Sequence, residues 1–293
     1  MSTTLRPPAD RPATPAPPAP ADYAAIYDPD TDFDRHYTAA TADLIAGRLG
    51  PHDRVLELGC ATGAMTARLA GERRTVVAVD RAPAYLRRAH ARGLRGVTWI
   101  RGDLEDPLPD ALGRFDHVVV ANVLHELDEP AALLRRIVRD HLARGGTVHV
   151  SLQNPRSLHR IVALEMGLID TLDEVAAAGR RYATRRLYDA DAVATLAATA
   201  GLTVVRREGV MLKPLPNAAM AALPADVLAG FVAAARHLPD HAAMGLYALR
   251  VEAIATRTAT ALSSAAPSRG ASPTTAAPAT ATPTTPPAAT GRP

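Results

Sequence analysis

Cysteine is almost missing from this 293-residue chain: Cys60 is the only one. No intrachain disulfide can form, so the reducing cytoplasm is the expected compartment. A lone cysteine can act as a nucleophile, but Cys60 lies in a tight turn between Gly59 and Ala61, where a small wall-forming side chain is the simpler reading. Lysine is as scarce. Lys213 stands alone, and the basic character of the chain comes from arginine. The formal charge is only +3, and Arg269 and Arg292, in an acid-free C-terminal piece, carry two of those charges. The remainder leaves no electrostatic footprint for nucleic acid. No apolar run approaches the roughly 20 residues of a spanning helix, and prolines occupy the place where a signal peptide needs an apolar core. Neither export nor membrane insertion is therefore expected. No internal repeat is found.

What is present is ample apolar surface, 47% of the chain, flanked by two biased ends. Residues 1–21 and 258–293 are built from Pro, Ala and Thr and cannot bury enough surface to repay ordering, so they read as disordered tails around a domain over 22–257. Within it, short β-branched runs alternate with amphipathic segments. "RVLEL" at 54–58 leads through a glycine-containing turn into a helix over 63–70. "TVVAV" at 75–79, "VTWI" at 97–100, "FDHVVVA" at 115–121 and "TVHVSL" at 147–152 follow, the second preceding a helix over 85–91. Leu133/Leu134, Ile137/Val138 and His141/Leu142 fall on one helical face that "RGG" at 144–146 is expected to close. After Asn154 come "SLHRIVALEMGLID" and "YDADAVATLAATAGL" as helices, "TVVRREG" as a sixth strand and "MGLYALRVEAIA" at 244–255 as a seventh, placed to pair antiparallel. The pattern predicts an α/β, doubly wound, mostly parallel sheet with ligands at the carboxyl ends of its strands.

The turn "ELGCATG" raises a choice between a pyrophosphate and a nucleoside carrying a positive charge. Gly59 and Gly63 permit close backbone approach, and the helix start beyond offers unpaired N–H groups. A nicotinamide fingerprint wants glycine where Ala61 stands. Glu57, at the strand end, suits a cation better than a phosphate. Asp80 ends the second strand twenty-three residues on, where an acid accepts from ribose hydroxyls, with Arg81 beside it. Asp103 follows the third strand after another twenty-three residues and can accept from an exocyclic adenine amine; Asn122 ends the fourth. Singly, each acid is as well explained as a loop charge or cap. Three in register make a row along one sheet edge.

Over Arg54 to Leu152 this combination resembles the class I S-adenosylmethionine-dependent methyltransferases, with "ELGCATG", "VVAVD", "GDLED" and "FDHVVVANVLHEL" in order. The resemblance implies a Rossmann-like methyltransferase fold with seven strands, the last antiparallel, and a helical cap insertion. It implies S-adenosyl-L-methionine as cofactor, with Glu57, Gly59, Cys60, Ala61 and Gly63 around its methionine part, Asp80 and Arg81 at the ribose and Asp103 with Leu104 at the adenine. Asn122 would lie between cofactor and acceptor. The departure is Ala61, where many members have glycine. The resemblance also implies a cap over 154–190, and the stretches "NPRSLHR", "ALEMGLID" and "KPLPN" suggest a bacterial enzyme acting on a sugar-containing or amine-bearing secondary metabolite, as in antibiotic biosynthesis.

Methyl transfer from a sulfonium asks chiefly for alignment, plus a base where the acceptor is an alcohol. His125 in "NVLHEL" is the candidate base and Glu126 its orienting partner or substitute; a histidine capping the next helix is the competing reading. His159 and Arg160 follow the fifth strand on the ligand edge, and Lys213 and Asn217 follow the sixth. The segment 22–50 is expected to fold over the cofactor, with Tyr27, His36 and Tyr37 excluding water and its aspartates favouring a cationic acceptor. A calcium loop counted from Asp28 is rejected, because Phe33 and Ala39 stand where glycine and glutamate are needed. No metal site is expected. The expected partner is a small molecule, with no nucleic acid and no membrane. Two alternatives are a nicotinamide-dependent oxidoreductase and a non-catalytic nucleoside-binding protein.

Overall fold

Alternation along the strands decides which residues face which layer. In β1 (Arg54–Leu58), Leu56 and Leu58 join one core layer while Val55 joins the other, so Glu57, two residues from Val55, shares its face. β2 (Thr75–Asp80) repeats this with Val77 and Val79 against Val76, and β4 (Phe115–Ala121) with Val118 and Val120 against Val119. Central strands buried on both faces require this near-continuous apolar run. β3 (Val97–Arg101), β5 (Leu142–Gln153), β6 (Leu202–Leu212) and β7 (Ala242–Val251) complete a seven-stranded sheet ordered β3-β2-β1-β4-β5-β7-β6. β7 runs antiparallel to both β5 and β6, and the other neighbouring pairs are parallel, as expected from the sequence. The computed structural model describes residues 23–175, 179–180 and 184–252. These fall in the first of two compact units, Met1–Ala253; the second unit, Ile254–Pro293, and the two biased tails lie outside the described residues.

Helices cover both faces. α1 (Arg35–Ala46) and α2 (Thr66–Leu69) bury Ile45 and Leu69 against Val55 and Val76. α4 (Pro130–Arg136) and α6 (Ala190–Ala198) bury Leu133, Leu134 and Val193 on the opposite face. α3 (Pro83–Ala91) sets Leu86 against Cys60 and Ala78, which places Cys60 as a wall residue, and α5 (Leu158–Glu165) follows β5. The chain leaves β1 in one direction to β2 and β3 and returns on the other side to β4 and β5. The switch point therefore lies between β1 and β4, where α/β sheets place ligands.

Three elements differ from the sequence expectation. The helix read over 63–70 shrinks to α2, because Gly63 is still in the turn, donating to the Cys60 carbonyl at 2.9 Å, and Ala70 is already extended. The helix read through Leu142 ends earlier: α4 widens into one five-residue turn over Ile137–His141, and "RGG" lies inside β5. Arg114 causes this by donating to the carbonyls of Leu142 (2.7 Å) and Arg139 (2.6 Å), drawing that segment onto the sheet with a register jump from Phe115↔Leu142 to His117↔Thr147. The helix read over 157–170 stops at Glu165, since Gly167 takes a positive φ of 67°. Two further helices, α7 (Asn217–Ala221) and α8 (Ala225–Ala234), were not read from the sequence, although Pro216 and Pro224 directly precede them as start signals.

On the α1 face, away from the ligand edge, His117 bridges Asp53 and His149: its Nε2 lies 3.0 Å from Asp53 Oδ2 and its Nδ1 3.0 Å from His149 Nε2. With Asp53 accepting from His117 Nε2–H, His149 must donate through Nε2–H, which leaves its Nδ1 bare and buried without a partner. Burial, reinforced by the neighbouring His117, pushes the His149 pKa down to about 3. The unfolded value is about 6.5, so stability from this group is complete above pH ~6.5 and is lost as pH falls towards the folded value, at about 1.4 kcal/mol per pH unit. Between pH 7.5 and 5, guanidinium unfolding is expected to show the parent losing about 2 kcal/mol more than His149→Gln. Equal losses would mean that His149 does not charge on unfolding.

Candidate functional site

The carboxyl ends of β1, β2 and β4 open into a cleft of about 610 Å³, within the range of about 300–1,000 Å³ usual for small-molecule sites. The turn after β1 forms one wall. The N–H groups of Gly59 and Cys60 both donate to the Val79 carbonyl, at 2.8 and 3.0 Å, stitching the turn to β2. Gly59 has φ 81°, and a Cβ there would meet Val123 Cγ2 at 2.5 Å, so only glycine serves. Gly63 does not line the cleft; it closes the turn behind it, where a Cβ would meet the Trp99 ring at 2.7 Å. Ala61 occupies the left-handed region at φ 45°, and its N–H donates to Asp80 Oδ2 at 2.8 Å. Among the described residues the side-chain-bearing positions with positive φ are Ala61, Asn122 and Met211, at the carboxyl ends of β1, β4 and β6. Strain gathered on one sheet edge is a mark of a functional rim.

The acids of the row converge. Glu57 is fully buried and accepts from Thr66 Oγ1 at 2.6 Å; burial first, and the Asp80 charge after it, push its carboxyl up to about 8 against that hydrogen bond. Asp80 accepts from Ala61 N–H through Oδ2 and from Ala82 N–H through Oδ1, both at 2.8 Å, and its pKa is raised by burial against those bonds. A carboxylate offers about four lone-pair sites, so two remain for a ligand. Arg81, Asp103 and Leu104 also line the cleft, with Asp103 Oδ1 capping the Glu105 N–H at 3.0 Å. Asn122 lies at φ 55°, anchored through its N–H to the Ser151 carbonyl at 2.8 Å.

Glu126 and His125 sit side by side, with His125 Nε2 3.8 Å from Glu126 Oε1. Burial pushes His125 down to about 4, so it is neutral near pH 7 and a weak base. Burial raises Glu126 to about 7, with Arg81 opposing and Asp80 adding, so Glu126 belongs electrostatically to the nucleoside end. A pKa near the working pH is where acid–base transfer is most effective.

The cleft is lined as well by Tyr27, Asp34, Tyr37, His159, Lys213 and Asn217. His36 is not there. Its ring packs on Phe33 with centroids 4.9 Å apart and lines a separate outer hollow with Arg35, Arg68 and Arg92. The strap before α1 is latched across the cleft mouth: Asp30 accepts from Thr62 Oγ1 (2.9 Å), Arg88 (2.6 Å) and Arg92 (2.6 Å), Asp28 accepts from Arg88 (2.8 Å), and Tyr85 donates to the Tyr27 carbonyl at 2.6 Å. Asp28 and Asp30 are thus taken up by arginines outside the cleft, and of the strap's aspartates Asp34 alone lines it. Arg160 also lines the cleft and donates to the carbonyls of Leu172 (2.9 Å) and Glu174 (2.5 Å), tying the segment after α5 together. Several buried polar atoms of cleft residues have no partner among the described residues: Tyr37 OH, Asn122 Oδ1, His125 Nδ1, His159 Nδ1 and Thr184 Oγ1. Such atoms are normally satisfied, so their gathering at one cleft marks where a ligand supplies the missing groups. Sequence reasoning passed over Thr66, the partner that fixes Glu57, and took Asp34 only together with the other aspartates of the strap. A hydroxyl nine residues after the strand acid, on the first helical turn, was the available signal for Thr66.

Residues 55–146 match the model of a methyltransferase domain. The switch-point cleft and the row of acids lie at the ends of the strands of this matched segment. Over those residues the chain is similar to a methyltransferase domain. It is 30% identical over 125 residues to a trans-aconitate 2-methyltransferase of Deinococcus radiodurans, covering 41% of this chain and 46% of that protein. It is also 30% identical over 121 residues to a ubiquinone biosynthesis O-methyltransferase of Xanthomonas oryzae pv. oryzae, covering 40% of this chain and 48% of that one. The matches thus span about half the length of these relatives or less. Among solved structures the [4+2]-cyclase SpnF shares the fold at 22% identity and a TM-score of 0.52, over 77% of this chain and 85% of that one. No described helix of the chain is long and apolar enough to cross a membrane.

Proposed function

We propose that this protein transfers the methyl group of S-adenosyl-L-methionine to an oxygen or nitrogen of a small molecule. The carrying observation is the convergence of Glu57, Asp80 and Asp103 on one cleft beside the strained turn at Ala61. The donor set fits that cofactor: a buried carboxylate for an ammonium, two spare lone-pair sites on Asp80 for ribose hydroxyls, and the orphaned Asn122 Oδ1 for a further donor. It fits a dinucleotide poorly, because the buried acid Glu57 stands beside the turn where a pyrophosphate would need N–H groups and positive charge. When bound, the cofactor supplies an electrophilic methyl group on a sulfonium.

The chain's own residues do the rest. The turn over 59–63 and Asn122 orient, Tyr27 and Tyr37 close the mouth against water, and His125 with Glu126 receives a proton where the acceptor has to lose one. The segment after Asn154 caps the acceptor end, and a sugar-containing or amine-bearing metabolite of a biosynthetic pathway remains the proposed acceptor class. Fold alone does not compel methyl transfer, since the likeness extends to a protein described as a cyclase.

The test combines calorimetry with labelled cofactor. S-adenosylhomocysteine is expected to bind saturably, and methyl-labelled cofactor incubated with a small-molecule extract is expected to yield a labelled product only with the protein present. Binding without product would favour a non-catalytic nucleoside-binding protein. Failure to bind, with reduced nicotinamide cofactor binding instead, would return the oxidoreductase reading.

A further inference from the structure

The cleft contains a cation that no described residue hydrogen-bonds. Lys213, the only lysine in the chain, directly follows β6 and lines the cleft. It is half-buried, and burial lowers its pKa while the Asp34 charge works the other way. Yet it makes no hydrogen bond and no ion pair with any described residue. The carboxylate whose charge it feels, Asp34, accepts from the Tyr27 hydroxyl at 3.5 Å, and its own pKa is raised by burial while the Lys213 charge opposes. A half-buried ammonium with no hydrogen bond to a described residue is open to an acceptor that a ligand brings in place of water.

A second orphan faces the same space. His159 Nδ1 is buried without a partner, and the charge of Lys213 is among the causes that push this imidazole down to about 3, after burial itself. A neutral imidazole here presents an N–H donor beside the three donors of the ammonium. Two residues before Lys213, Met211 holds φ 59° inside β6, while the ladder keeps its register there and pairs Val210 with Met244 and Leu212 with Ala242. Tyr37 OH, buried without a partner among the described residues, lines the same cleft.

We infer that the acceptor molecule carries an anionic oxygen group, a carboxylate or phosphate, received by Lys213 and His159 in the cleft. This rests on the proposed methyl transfer only for the word acceptor; the anion site stands on the orphaned donors. It also replaces the cationic acceptor suggested by the aspartates of the strap, since Asp28 and Asp30 are bound to Arg88 and Arg92 outside the cleft.

The single lysine makes the test direct. Full-length protein grown with 13C-labelled lysine gives one side-chain signal in NMR, and it is titrated with benzoate, phenyl phosphate and benzamide, with and without S-adenosylhomocysteine. A saturable displacement of the signal by benzoate or phenyl phosphate, absent with neutral benzamide, is the expected result; the anion that acts names the group. His159→Ala is expected to weaken that anion at least tenfold while S-adenosylhomocysteine affinity changes less than twofold. No saturable displacement by either anion, or an equal one by benzamide, overturns the inference. Loss of S-adenosylhomocysteine binding with the anion response intact would instead strike the methyltransferase reading and leave the anion site standing.

Discussion

Binding of S-adenosylhomocysteine at pH 7 is expected to release about one proton, and its affinity is expected to rise about tenfold per pH unit up to pH ~8 before levelling off. The reason is Glu57. Buried in the cleft wall beside Asp80, its carboxyl is pushed up to about 8, so the ligand-free protein carries it protonated at neutral pH. A ligand ammonium favours the carboxylate form, and the proton must leave for that pair to form. Linkage then requires affinity to climb with pH wherever the free protein holds the proton and the complex does not. Glu57→Gln keeps the shape and the Thr66 contact but cannot ionise. It is expected to remove the pH dependence and to weaken binding at pH 8 by about 2–5 kcal/mol, some 30-fold or more, the usual effect of breaking a buried charge pair. Calorimetry in buffers of different ionisation enthalpy reads the proton count directly. A parent that binds without proton release, or a Glu57→Gln variant that binds as tightly, would show that Glu57 does not meet the ligand.

Much of this was legible in the chain because the determinants are local and ordered. The strands follow from β-branched runs, and each acid of the row stands at a strand end that the sequence itself marks. Reading Glu57, Asp80 and Asp103 onto one edge needed only a parallel sheet. The misreadings are those where a distant partner overrides a local pattern. His141 and Leu142 have perfect helical spacing, yet Arg114, some thirty residues earlier, draws the chain into β5. His36 has the right neighbours in sequence, but its turn of α1 faces the outer hollow while Tyr37 faces the cleft. The unpartnered state of Lys213 is likewise invisible in sequence, because it depends on what Asp34 bonds to instead.

Asp80→Ala is expected to abolish measurable cofactor binding, at least a hundredfold loss, and to destabilise the fold as well. Asp80 holds two backbone N–H groups, those of Ala61 and Ala82, so removing it takes away two charge-assisted bonds of about 1.5–3 kcal/mol each in addition to any ligand contact. The first of those bonds matters most, because it keeps Ala61 at φ 45°, a conformation costing an alanine roughly 1–2 kcal/mol relative to glycine. Asp80 therefore has a turn-forming role and a ligand-facing role, which a single substitution cannot separate. Ala61→Gly separates them. Alone, it should raise the melting temperature by about 2–4 °C, the response of a domain of this size to ~1 kcal/mol. Combined with Asp80→Ala it should recover part of the lost stability, since a glycine turn no longer needs the carboxylate to hold its conformation, while cofactor affinity stays lost because the ribose acceptor is still missing. If the double variant regains affinity along with stability, Asp80 acts only by shaping the turn and the ribose contact falls. If Ala61→Gly fails to stabilise the parent, the turn is held by the two bonds to the Val79 carbonyl and carries no strain at Ala61.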